Sequence, residues 1–110
     1  MTSGHTIALS ETISAQQSGI SLVFSEYIDG AVSNTSLTSF FVPKKLVATH
    51  GGAGHCFQMI TSNLAYFATK YLYISDAKIV GHDNNNLTGT GANGITYNNK
   101  RFVLRYVIGV

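Results

Sequence analysis

The chain contains one cysteine, one proline, no tryptophan and few charges, and each scarcity closes off a class of protein. A lone Cys56 excludes an intramolecular disulfide framework and any zinc site built on several thiolates. Its commonest role is that of a small buried hydrophobe. Charged residues make up 11% of the 110, less than half of the ~25% usual in globular domains. Seven Lys plus Arg against five Asp plus Glu leave a net +2. That excess is too small and too scattered for a dedicated nucleic-acid binder. No apolar run approaches the roughly 20 residues that a spanning helix needs, so membrane insertion is not expected. No basic segment followed by an apolar one opens the chain, so no secretion signal is visible.

Hydrophobic residues, at 45%, are sufficient for a buried core and argue against disorder. The length suits one domain. Residues 1–6 are set aside as an N-terminal tail, and residues 7–110 are expected to form a single β domain. Ser, Thr, Asn and Gly must supply the polar surface, a profile that fits a β-rich secreted or virion-type protein.

β-formers and turn-formers alternate along the chain. Period two over residues 20–28 places Ile20, Leu22, Phe24, Glu26 and Ile28 on one face of a strand, with Asp29-Gly30 closing it. Residues 37–42 read as a strand that must stop, bend or lie at an edge at Pro43. Residues 56–60, 71–75 and 78–80 read as further strands, the last two separated by Asp76-Ala77. Residues 63–70 fit either a short helix or a loop, and residues 7–20 are ambiguous. A polar loop is expected over residues 81–94, with Leu87 as its apolar anchor. The run 102–108 is nearly continuous in apolar residues and predicts a buried central strand. Together these give an all-β fold, a compact antiparallel sandwich or barrel of short strands.

Chemistry-bearing patterns are sparse. Gly51-Gly52-Ala53-Gly54 lacks the Gly-Lys-Ser/Thr ending of a phosphate loop and reads as a turn. His50, His55, Cys56 and His82 have no standard zinc spacing, and adjacent His55 and Cys56 in a strand face opposite ways. No metal or other cofactor is therefore expected. The five carboxylates form no convincing pair for glycosidase chemistry, and no enzymatic activity is expected. Asn34-Thr35-Ser36 and Asn86-Leu87-Thr88 are formal glycosylation sequons that arise readily by chance in so Asn- and Thr-rich a chain.

Six Tyr and six Phe, with the polar run His82-Asp83-Asn84-Asn85-Asn86, are a more informative stock. Saccharide sites combine ring faces with hydrogen-bonding side chains, and binding residues concentrate on loops. Asn and Asp are equally the residues of turns, so composition alone leaves both readings open. On chemistry and loop position the candidate contacts are His82, Asp83 and Asn85 for hydroxyl or phosphate groups, Tyr97 for stacking and Arg105 for an anionic partner. Tyr71, Tyr73, Phe102 and Tyr106 are assigned to the core or to a subunit interface.

Four blocks, residues 21–27, 40–45, 70–84 and 98–110, in that order resemble the C-terminal module of tail-tip and baseplate proteins from siphophages of Gram-positive bacteria. The resemblance implies a compact antiparallel β domain similar to the head of lactococcal phage receptor-binding proteins. It further implies a homo-oligomer, with a trimer favoured, located in the virion beside other tail or baseplate proteins. The implied function is non-catalytic adhesion to a host cell-wall polysaccharide. The chain departs from that pattern in having no Trp for a sugar to stack on. A structural module that joins virion components without touching a receptor is the alternative. A small metal-dependent hydrolase built on His50, His55, Cys56 and His82 is a third reading.

Overall fold

Alternation in the longest strand sets the frame of the molecule. In the computed structural model, which describes residues 1–92 and 94–110, strand β2 (Gly19–Ile28) buries Ile20, Leu22, Phe24 and Glu26. The sequence pattern placed these same residues on one face. A short β1 (Thr6–Ala8) precedes it, and β3 (Ala31–Val32), β4 (Thr38–Pro43) and helix α1 (Lys44–Thr49) follow. Then come β5 (Ala53–Ile60), β6 (Phe67–Ile74), β7 (Lys78–Val80), β8 (Thr88–Thr90), β9 (Thr96–Asn98) and β10 (Phe102–Gly109).

Among the described residues the strands form two sheets and the fold is all-β. The six-stranded sheet runs β1-β7-β6-β9-β8, with β5 on the other edge of β6. The four-stranded sheet places β10 on one side of β2, with β3 and β4 on the other. Every pairing is antiparallel except one parallel bridge, Phe67 to Tyr97, between β6 and β9. The two sheets share one core. Phe24 of β2 lies 5.9 Å from Phe57 of β5, and Phe40 of β4 lies 5.0 Å from Phe57. Leu72, Ile74, Ile79 and Phe102 complete it, and α1 adds Val47.

The one ion pair among the described residues, partly buried, is formed by Glu26. Its carboxylate accepts from Thr35 Oγ1 at 2.9 Å, Ser36 Oγ at 3.0 Å and Arg101 Nε at 3.0 Å. Burial opposes ionisation, but the two hydroxyls and the guanidinium outweigh it and hold the carboxyl below its ordinary pKa.

Several expectations are corrected. Strand β10 is an edge strand, paired with β2 alone among the described residues, and Tyr106 and Ile108 are 51% and 49% exposed. Its apolar run signalled burial on both faces, yet only Phe102 is fully enclosed. Leu87 is not an anchor, being 48% exposed. Residues 1–6 are bonded into the fold. Thr6 pairs with Val80, and the Met1 carbonyl accepts from His82 N and Asn85 Nδ2. Residues 63–66 are a turn, in which Asn63 Oδ1 accepts from Thr61 Oγ1 at 2.6 Å and Ala65 N at 3.1 Å, and residues 67–70 begin β6. Pro43 ends its strand at a sheet edge, as its missing donor requires, and also sits at the N-terminus of α1.

Candidate functional site: an aromatic and amide groove

Alternation along β6 sends Ala68, Lys70, Leu72 and Ile74 to the core and Phe67, Thr69, Tyr71 and Tyr73 to the other face. Register with β5 sets Cys56 beside Tyr71 and Gln58 beside Thr69. The far edge of β6 is incomplete. β7 pairs with it at Tyr73 and Ile74 and β9 at Phe67, so the main chain of residues 69–71 lacks a neighbouring strand there.

Two asparagine side chains fill the gap. Asn99 Oδ1 accepts from Thr69 N at 2.8 Å, and Asn99 Nδ2 donates to Asn84 O at 2.7 Å. Asn85 Oδ1 accepts from Tyr71 N at 2.6 Å, while its Nδ2 donates to Tyr71 O at 3.0 Å and to Met1 O. A side-chain amide carries the donor and acceptor of a peptide group, so each mimics one rung of a ladder. The loop after β7 is thereby fixed against β6.

The fixed loop and the outer face of the sheet enclose an open groove of about 600 Å³, within the ~300–1,000 Å³ of small-molecule sites. Phe67, Tyr71 and Tyr97 supply its rings, and Gln58, Thr69 and Asn84 supply polar side chains. Both tyrosines lie over a glycine. A Cβ at Gly54 would overlap the Tyr71 ring and hydroxyl, and one at Gly89 would come within 3.1 Å of the Tyr97 hydroxyl. Glycine at these two positions lets the rings settle on the sheet (compare the glycine–aromatic pairs of other β-sheets).

The sequence-derived candidates separate into three groups. Tyr97 lines the groove. His82 flanks it, its ring 5.2 Å from Tyr71 and 5.9 Å from Tyr73, with Nδ1 accepting from Asn84 N at 3.0 Å. The other three have structural partners. Asn85 is 0% exposed and its amide is committed to β6 and Met1, leaving no surface for a sugar. Asp83 is held by Ser3, whose amide and hydroxyl lie at 2.9 and 2.8 Å and keep the carboxyl below the usual range. Arg105 belongs to the other sheet, at the irregularity in β10, where it donates to Ser25 Oγ, Ser33 O and Asn34 Oδ1.

The groove residues missed from sequence include Phe67, Thr69, Tyr71, Gln58 and Asn84. The alternation of Tyr71 and Tyr73 with Leu72 and Ile74 was the available signal, since it puts the tyrosines on the face opposite the core. Of the residues in the hydrolase reading, Cys56 is exposed in the groove while the His55 ring stacks beside Phe57 at 6.3 Å. Burial lowers the His55 pKa, and its Nε2 has no partner among the described residues. No three His, Cys, Asp or Glu side chains converge among the described residues.

Comparison of the chain with protein-family models, with curated proteins and with solved structures found no match.

Proposed function

We propose that the chain is the distal domain of a phage tail-tip or baseplate protein and adheres, without catalysis or a cofactor, to a cell-wall saccharide of a Gram-positive host. The groove carries this reading, with two tyrosine rings laid over glycines beside amide and hydroxyl side chains. Ring faces pack on the apolar faces of a sugar, and amides and hydroxyls both donate to and accept from its hydroxyls. The tyrosines take the place of the missing tryptophan. The virion is the proposed location, and the proposed assembly is a homo-oligomer, with a trimer favoured. The half-exposed Phe41, Tyr106 and Ile108 on the outer face of the four-stranded sheet support self-association.

Binding of fluorescently labelled protein to a panel of Gram-positive cells tests the reading. Saturable binding, competed by purified wall polysaccharide, is expected. Tyr97→Ala should weaken it about tenfold, or ~1.4 kcal/mol, and Gly54→Ala should do the same by displacing the Tyr71 ring. Binding unchanged in both variants would remove the groove from the proposal.

The alternative, a structural module joining tail components, is favoured by one observation, the open and apolar edge of β10. Absence of binding to every strain, with tight association to another tail protein, would support it.

A further inference from the structure

We infer that the groove selects an uncharged saccharide and rejects the anionic polymers of the wall; the inference rests on the saccharide reading above. No Lys, Arg, Asp or Glu lines the groove among the described residues. The polar side chains of Gln58, Thr69 and Asn84 and the hydroxyls of Tyr71 and Tyr97 all offer an acceptor as well as a donor. A sugar hydroxyl uses both. A phosphate or carboxylate uses only the donors, and no charged side chain in the lining offsets the cost of stripping water from it.

None of the seven Lys and Arg side chains lines the groove among the described residues, and the three that are buried or half-buried are committed elsewhere. Arg101 is paired with Glu26 at 3.0 Å and lies over the Tyr66 ring at 4.7 Å. Arg105 is bound to Ser25, Ser33 and Asn34 in the other sheet. Lys70 is on the opposite face of β6, donating to Asn85 O at 3.1 Å in the interior. Anion sites in proteins are built on such donors, above all the bidentate guanidinium.

Cys56 provides the test, because the sole thiol of the chain is exposed and lines the groove. Wall polysaccharide from Gram-positive cells is separated on an anion exchanger into neutral and anionic fractions. The rate of Cys56 alkylation by iodoacetamide is then followed by intact-protein mass spectrometry with each fraction, at low and high salt. The neutral fraction is expected to slow alkylation about tenfold at nine-tenths occupancy, equally at both salt concentrations. The Gly54→Ala variant, which displaces the Tyr71 ring and removes no lining side chain, should lose this protection. Protection by the anionic fraction that fades with salt would overturn the charge selection and leave the saccharide reading standing. Protection by neither fraction would overturn the saccharide reading and this inference with it.

Discussion

Of the buried polar residues, Asn85, Lys70 and Glu26 each leave a separate mark on stability. Asn85 has the greatest structural responsibility, since its amide satisfies both main-chain groups of Tyr71. Asn85→Ala should destabilise the protein by about 2–4 kcal/mol, because each stranded buried group costs ~1–3 kcal/mol. Urea denaturation of the two proteins measures it. Lys70 is a burden of the opposite kind, its pKa brought down to about 8 by burial. The unfolded chain holds that proton more tightly than the folded one between pH 8 and about 10.5, so this group adds stability as pH rises through that window. Below pH 8 the full penalty applies. Lys70→Met should therefore melt higher at pH 7, and its advantage should shrink between pH 8 and 10.5, seen as converging Tm values. Glu26 behaves in the opposite sense at the acid end. Its lowered pKa gives stability that is fully present above about pH 4.5 and lost as pH falls through the folded value. Glu26→Gln should be less stable at neutral pH and flatter in acid. A parallel slope in the two proteins would mean that Glu26 contributes nothing to acid sensitivity.

At the scale of elements, what the sequence made legible depended on period two. β2 and the β6–β7 hairpin were readable because one face is buried and the other is not. Residues 63–70 were not, because an Asn63 turn and the first half of a strand share no single period. Helix α1, with six residues, is too short to show a helical repeat. The groove was half legible. Tyr97 could be chosen as a stacking residue, but whether Asn84 or Asn85 faces outward depends on one turn of 3₁₀-helix and could not be read from composition. The most instructive misreading is β10, whose apolar residues occupy both faces of an edge. An edge of this kind has unpaired main-chain groups and little charge to discourage a partner. Ile108→Lys, on the exposed face, should leave the melting temperature within a few degrees. It should abolish any concentration-dependent association seen by sedimentation velocity. Association that survives the lysine would place the contact elsewhere.

For the whole molecule, the two sheets turn different surfaces outward. The six-stranded sheet presents the groove, and the four-stranded sheet presents Phe41, Tyr106 and Ile108. If the second surface gathers copies, the first is displayed several times over. Weak grooves then act together, and linked copies gain roughly 10²–10⁴ in avidity without a new contact. The Ile108→Lys protein should accordingly keep its affinity for soluble oligosaccharide, measured by calorimetry, while its retention on whole cells falls by a factor of that order. Equal losses in both assays would indicate damage to the groove itself.

The two asparagines that replace a missing rung of the sheet also separate what frames the groove from what lines it. Asn85 and Asn99 hold the frame with their side chains turned inward, whereas the Asn84 and Leu87 side chains border the groove beside them. Substitution at those two positions alters the reading surface and leaves the ladder intact. If the groove binds a saccharide as proposed, one target could be exchanged for another in small steps, each starting from a folded protein.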